Sequence, residues 1–122
     1  MTPAPPWTLQ FYDGNGNGYS FSHEEKASAA SFDFDPLTPE ESSSGHYSGG
    51  TPASGSLSAD HVTTLWEWVH LFQNDESLQC EQRLKGTGWF VIKKDEVKTQ
   101  FYVGRGDKLE EFMSFLTEAT RP

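Results

Sequence analysis

A glycine- and asparagine-rich segment, Asp13–Gly18, separates two stretches in which apolar and polar residues alternate. Trp7–Tyr12 and Tyr19–Ser22 each place an aromatic or aliphatic side chain at every second position. Alternation at period two is typical of a strand with one buried face, and glycine with asparagine suits a tight turn that needs positive φ. The sequence therefore predicts a β-hairpin here, so the fold must contain a sheet with one buried face.

The segment Asp13–Glu24, which begins with this turn, matches every position of the calcium-loop pattern D-x-[DN]-x-[DN]-G-x5-E. The candidate ligands are Asp13, Asn15, Asn17, the Tyr19 carbonyl and Glu24. The flanking residues alternate at period two and not at helical period, and the sequence contains no second loop of this kind. We therefore predict a hairpin turn and keep a calcium-binding module as an alternative.

Three further segments have strand character. Ser31–Asp35 alternates and ends at Pro36, which predicts a third strand. Gly88–Lys94 and Val97–Val103 are strand-like and are separated only by Asp95-Glu96, which predicts a second hairpin. Residues 36–57, between the third strand and the next element, are rich in serine, glycine and proline and are predicted to form a loop.

Two segments have helical periodicity. Ser58 is a suitable N-cap for a helix ending near Asn74-Asp75, with an apolar stripe of Val62, Leu65, Trp66, Val69 and Phe72. A second helix follows Gly104–Gly106, where Asp107 and Glu110 resemble a capping box, and its apolar face holds Leu109, Phe112, Met113 and Leu116. The predicted fold class is α+β: an antiparallel sheet of about five strands packed on one face by two amphipathic helices. Residues 1–122 are predicted to form a single domain with a flexible N-terminus at residues 1–6.

Charge is distributed unevenly along the chain. The net charge is −9, and residues 1–82 contain 12 acidic residues and one basic residue, Lys26. Such a protein should repel nucleic acid and anionic membranes and attract a basic protein partner. The N-terminus lacks the basic and apolar regions of a signal peptide, and a single cysteine, Cys80, suits a reducing compartment. These features predict a cytoplasmic protein.

Residue types that carry catalysis are present but not grouped. Cys80 has no histidine near it in sequence, and we interpret it as a half-buried structural thiol. The four histidines, His23, His46, His61 and His70, lack metal-ligand spacing. The segments Lys85–Gly88 and Gly104–Gly106 do not match a phosphate-binding loop. The prediction is a protein that is not an enzyme and has no cofactor.

Several polar and aromatic side chains are candidates for partner contact. Asp33 and Asp35 share the outer face of the third predicted strand, and Glu40 and Glu41 follow in the loop. Trp68 is two positions from Trp66 on the first helix and should be partly exposed. The full predicted set is Asp33, Asp35, Glu40, Glu41, His46, Tyr47 and Trp68.

Two motifs carry a family resemblance. The segments Ser42–Gly50, which reads SSSGHYSGG, and Arg83–Phe90, which reads RLKGTGWF, are similar to motifs of small, uncharacterised bacterial proteins. Small acidic proteins of this kind resemble immunity proteins that inhibit secreted toxins. The resemblance implies a toxin-neutralising protein whose acidic residues cover a basic toxin surface. A small enzyme that uses His46 and Tyr47 together with Arg83 and Lys85 is a further alternative, and the sequence leaves monomer and dimer both open.

Overall fold

The computed structural model describes residues 3–14, 17–36, 52–81 and 87–120, and a sheet lies at its centre. The strands are β1 (Trp7–Tyr12), β2 (Gly18–His23), β3 (Ser31–Asp35), β4 (Ala53–Ser56), β5 (Gln79–Cys80), β6 (Gly88–Lys94) and β7 (Val97–Val103). The helices are α1 (Ala59–Asn74) and α2 (Asp107–Ala119), and Glu76–Leu78 form a 3-10 turn. Within the described residues the seven strands are antiparallel and follow the order β4-β3-β2-β1-β6-β7-β5.

Both predicted hairpins are confirmed, and they lie side by side. β1 pairs with β2 from Trp7↔His23 to Tyr12↔Gly18, and β6 pairs with β7 through the two-residue turn Asp95-Glu96. β1 also pairs with β6 along its whole length, so the two hairpins join at the centre of the sheet. The α+β class is therefore confirmed, with β1 as the central strand.

The predicted number of strands is wrong, because the described residues hold seven strands and not about five. Ala53–Ser56 form β4 inside the stretch that was predicted to be loop, and Gln79–Cys80 form β5. The sequence of β4 is Ala-Ser-Gly-Ser, which has no apolar alternation and low β-propensity. Its strand conformation is set by pairing with β3, a tertiary contact that a local pattern does not encode.

The core lies between the sheet and the two helices. The five apolar residues predicted for the first helix, Val62, Leu65, Trp66, Val69 and Phe72, are all buried. The second helix buries Leu109, Phe112 and Leu116, whereas Met113 is only partly buried. Aromatic rings make up much of this layer: the ring centroid of Phe112 lies 5.1 Å from that of Phe11 and 5.3 Å from that of Phe90. Edge-to-face and tilted ring pairs of this kind stabilise a core beyond their buried area.

The two helices begin differently. Ser58 caps α1 as predicted, because its Oγ accepts a hydrogen bond from the His61 N–H at 3.1 Å. The capping box predicted for α2 is wrong: Gly106 is the N-cap, no side chain caps it, and Asp107 is the first helical residue. Asp107 and Glu110 still lie in the first turn, where their charges complement the helix dipole.

Candidate functional site

Neither of the two described helices covers one face of the sheet, and we call this the open face, although Val91 on it is buried. Side chains alternate across a strand, so the residues of β1 that face away from the buried Trp7, Leu9 and Phe11 belong to it. The pairing of neighbouring strands extends this assignment to the other strands. The open face has three rows of residues, each given in the strand order β3, β2, β1, β6, β7. The rows are Asp35, Gly18, Tyr12, Trp89 and Tyr102; Asp33, Ser20, Gln10, Val91 and Gln100; and Ser31, Ser22, Thr8, Lys93 and Lys98.

Hydroxyl and amide side chains fill much of the open face. Ser20 and Ser22 on β2 are half-buried, Ser31 on β3 is exposed, and Ser54 and Ser56 on the edge strand β4 are exposed. The hydroxyl oxygens of Ser22 and Ser31 lie 3.3 Å apart across the β2–β3 pair. Short hydroxyl side chains lie close to the sheet, so this half of the open face is flat and able to donate and accept hydrogen bonds.

Three aromatic rings form a row at one end of the open face. The ring centroids of Tyr12 and Trp89 are 5.1 Å apart, and those of Trp89 and Tyr102 are 6.1 Å apart. All three residues are half-buried, and Cys80 pairs with Tyr102 at the sheet edge. Cys80 is itself half-buried, as predicted. The rings are held by neighbouring strands, so their positions are fixed by the sheet and not by a loop.

The acidic pair predicted from the sequence lies on the open face. Asp33 and Asp35 are exposed, while Phe32 on the same strand is buried and Phe34 packs against the core. Asp33 lies between Ser20 of β2 and Ser54 of β4, and Asp35 lies opposite Gly18. The two carboxylates therefore stand on the same side of one strand, two positions apart, which is about 7 Å.

A basic pair on the same face was missed by sequence reasoning. Lys93 of β6 lies directly opposite Lys98 of β7, and both side chains are exposed. The signal was present, because a two-residue turn at Asp95-Glu96 fixes the register of this hairpin. Among the described residues the ion pair found is Lys108–Glu111 on α2, at 3.5 Å, so neither lysine is neutralised by a described carboxylate within ion-pair distance.

Trp68 does not join the acidic residues. It lies on α1, on the other side of the sheet from Asp33 and Asp35, and its ring packs 5.7 Å from Phe72 and 5.9 Å from Phe112. Its outer side borders a shallow cavity of about 290 Å³ with Thr64, Glu67 and Leu71. The predicted partial exposure of Trp68 is confirmed, and its position makes it part of the contact between α1 and α2.

Four of the predicted contact residues, Glu40, Glu41, His46 and Tyr47, lie outside the described residues. Arg83 and Lys85 of the second motif also lie outside them. The described part of the predicted contact set on the open face is therefore the pair Asp33 and Asp35.

The hairpin places the candidate calcium ligands at opposite ends of β2. Asp13 closes the turn, because its carboxylate accepts hydrogen bonds from the Asn17 backbone N–H at 2.9 Å and from the Asn17 side chain at 2.7 Å. Tyr19 is buried in β2, and Glu24 follows the far end of that strand. Six residues of extended chain span about 20 Å, so Glu24 cannot coordinate an ion held by Asp13. Asn15 lies outside the described residues.

Other groups with catalytic or ligating chemistry are dispersed. The Nε2–H of His23 donates a hydrogen bond of 2.9 Å to the Ala27 carbonyl, while His61 and His70 lie on α1 beside Phe115 and Trp66. In the described ranges no three His, Cys, Asp or Glu side chains are grouped so that they could hold a metal ion. A cavity of about 420 Å³ is an open groove at the end of β1, lined by both acidic and basic residues, among them Glu24, Lys93 and Asp95.

Comparisons with protein-family models, with curated proteins and with solved structures find no match to this chain. Among its described helices, none combines the length and the apolar character needed to cross a membrane. The open face and its charges are therefore the features of the molecule that bear on its function.

Proposed function

We propose that the protein is a non-enzymatic binding protein whose open face takes a protein partner with a basic surface. The observation that supports this most is the acidic pair Asp33 and Asp35, exposed side by side on a flat, hydroxyl-rich face of the sheet. The rigid sheet holds these groups in place before a partner arrives, which lowers the entropic cost of association.

The side-chain types of the open face suit protein recognition. Tyrosine and tryptophan offer large contact areas at a low cost in conformational entropy, and serine offers adaptable hydrogen bonds. Tyr12, Trp89 and Tyr102 supply the first type, and the serines of β2, β3 and β4 supply the second. This combination of rigid rings and short hydroxyls is common in the binding sites of antibodies.

The charge of the chain supports a basic partner. The net charge is −9, and most acidic residues belong to the first two-thirds of the sequence, which contains Asp33 and Asp35. A partner with a basic surface would be steered toward this region, so its association rate should fall as salt is added.

Within this class, we propose an immunity protein that neutralises a bacterial toxin by covering it. Support comes from the resemblance of the SSSGHYSGG and RLKGTG segments to small bacterial proteins, and from the acidic pair on the β3 side of the open face, which could occlude a basic toxin cleft. Glu40, Glu41, His46 and Tyr47 remain candidate contacts in this proposal. Trp68 does not, because it lies on α1, on the other side of the sheet from the open face.

A charge-neutral variant tests the proposed interface. Immobilised wild type and the variant Asp33→Asn/Asp35→Asn would each be exposed to a lysate of the cells that encode the protein, and the retained proteins quantified by mass spectrometry. A control variant, Asp60→Asn/Glu67→Gln, removes the same charge from exposed positions of α1. We expect a basic protein to be retained by wild type and control and lost by the open-face variant.

The retained protein is then produced in a host cell with and without this chain. Rescue of growth by wild type, and weaker rescue by Asp33→Asn/Asp35→Asn, would support toxin neutralisation. A partner that binds the open-face variant as strongly as wild type would show that the acidic pair is not its contact. A partner that is harmless to the host would refute the immunity role and leave the binding role standing.

A further inference from the structure

We infer that the open face is also a self-association surface and that two copies of the chain form a weak dimer through it. The face carries two patches of opposite charge: Asp33 and Asp35 on β3, and Lys93 and Lys98 on β6 and β7. All four side chains are exposed. A surface that contains both members of a complementary pair can bind a second copy of itself.

The opposite charges cannot neutralise each other within one molecule. β3 lies three strands from β6 and four strands from β7, and neighbouring strands are about 4.8 Å apart. The acidic and basic patches are therefore separated by about 14 to 19 Å, well beyond an ion pair. Lys93 and Lys98 instead face each other directly across β6 and β7, where like charges are unfavourable. Asp33 and Asp35 lie two positions apart on one side of β3.

The position of the central strand makes a symmetric arrangement possible. β1 has three strands on each side, with β3 two places away in one direction and β7 two places away in the other. A two-fold axis that runs parallel to the strands over β1 brings β3 of each copy over β7 of its partner. Both copies then contribute the same surface to the contact. The acidic patch of each copy meets the basic patch of the other copy.

The register brings the charges close enough to pair. Asp33 is in the same row as Gln100, and Lys98 lies two residues further along β7. That offset is about 7 Å along the strand, and packed sheets lie about 10 Å apart, a distance that an aspartate and a flexible lysine stem bridge together. Hydroxyl and amide groups of β1 and β2 would lie at the centre of the contact.

The size of the face predicts a weak dimer. The five strands from β3 to β7 span about 24 Å across and about 20 Å along the chain, or roughly 500 Å² on each copy. Two such faces bury about 1,000 Å² in total, which is the lower end of the range for specific interfaces. The dimer should therefore depend on concentration. Salt weakens its ion pairs and also screens the repulsion between two copies of net charge −9.

The proposed partner would compete with this dimer, because both use Asp33 and Asp35. The dimer would then be the form of the protein without a partner, and binding of a basic partner would dissociate it. The test of the dimer uses the purified chain alone, so its failure would leave the proposed partner-binding function untouched.

Sedimentation velocity of the full chain, from micromolar to millimolar concentration at about 0.15 M salt, tests the inference. We expect a monomer–dimer equilibrium for wild type. Asp33→Lys/Asp35→Lys and Lys93→Glu/Lys98→Glu should each weaken dimerisation by about tenfold or more, because each places like charges across the contact. An equimolar mixture of these two variants should form a heterodimer, since the exchanged charges are again complementary.

Two control variants make the same changes in net charge elsewhere. Asp60→Lys/Glu67→Lys on α1 and Arg105→Glu/Lys108→Glu at the start of α2 alter exposed residues away from the open face. These should dimerise like wild type. A wild type that stays monomeric at all concentrations would overturn the inference. A dimer that survives both open-face reversals would overturn it too, and would place the contact elsewhere, for example at the β4 edge.

Discussion

Asp95 and Glu96, the two residues between β6 and β7, both have positive φ, at 53° and 66°. A two-residue hairpin turn needs this backbone, because its twist then matches that of the strands. Side chains other than glycine, asparagine and aspartate adopt this region at a cost. Of the two residues, Glu96 is the less suited to its position.

We therefore expect Glu96→Gly to raise the free energy of unfolding by about 0.5 to 1 kcal/mol, since glycine removes the strain but adds freedom to the unfolded chain. Urea denaturation would measure it. Glu111→Gly, at an exposed position inside α2, is a matched control that should lower stability by about 1 kcal/mol. An equal loss in both variants would mean that Glu96 is not strained.

Among the described residues, His70 is the one whose pKa is clearly shifted. It lies on α1 with its ring 5.8 Å from that of Trp66, and burial lowers its pKa below the ordinary value of 6.5. The positive charge of Lys94 lowers the pKa in the same direction. The folded protein therefore holds His70 neutral at a pH where the unfolded chain would protonate it.

This difference predicts that acid destabilises the fold through His70. Between its folded pKa and 6.5, the unfolded chain binds more protons at this site, so stability falls as pH is lowered through that window. Above about pH 6.5 the effect vanishes. Urea denaturation across this range should show a steeper loss for wild type than for His70→Gln. Parallel pH profiles for the two proteins would contradict the prediction.

At the scale of elements, the close approach of Phe11 on β1 to Gly88 on β6 helps to fix the position of α2. A Cβ atom added at Gly88 would lie 2.6 Å from a ring carbon of Phe11 and 3.2 Å from a methyl carbon of Leu109 on α2. The same ring of Phe11 packs edge-on against Phe112 of α2. The absence of a side chain at Gly88 therefore lets the sheet and the helix meet.

Gly88→Ala should lower the free energy of unfolding by about 1 to 3 kcal/mol, because the core must shift to admit the methyl group. Gly104→Ala is the control: its added Cβ would meet the nearest atoms at 3.8 and 3.9 Å, an ordinary contact distance. We expect that variant to change stability by less than about 0.5 kcal/mol. Thermal denaturation of the two proteins, side by side, compares them directly, and equal stability would show that the core adapts around Gly88.

Elements with a strong local pattern could be predicted from the sequence. The alternation in Trp7–Tyr12 and the apolar stripe of α1 identify strand and helix because burial on one face imposes the period. β4 and β5 have no such period, and only their pairing with β3 and β7 defines them. Pairing is a property of the assembled sheet, so short edge strands are the part that local patterns miss.

Part of the candidate site could likewise be predicted from a local pattern, and part depends on how the strands pair. Alternation within β3 was enough to place Asp33 and Asp35 together on the outer face. That Lys93 and Lys98 share this face follows only once β1 is known to pair with β6, which joins the two hairpins. The separation of Trp68 from the acidic pair likewise depends on which face of the sheet α1 covers.

At the scale of the whole molecule, the open face keeps charges that do not stabilise the monomer. Lys93 and Lys98 are directly opposed, and Asp33 and Asp35 share one side of β3. Cross-strand positions with opposite charges would be more favourable for folding. This arrangement is what a binding face requires, because charges paired within the monomer would be unavailable to a second molecule.

Lys98→Glu tests whether the charges of the open face lower the stability of the monomer while they support binding to a second molecule. It converts a repulsive cross-strand pair into an attractive one, so the monomer should gain about 0.5 to 1 kcal/mol in free energy of unfolding. Urea denaturation at low protein concentration and low salt would measure it, while sedimentation at high concentration should show weaker dimerisation. Lys108→Glu makes the same change in net charge but breaks the exposed Lys108–Glu111 pair, so it should not raise stability. If Lys98→Glu also failed to raise stability, the two lysines would not repel each other in the monomer, and the open face would not be held at a cost to folding.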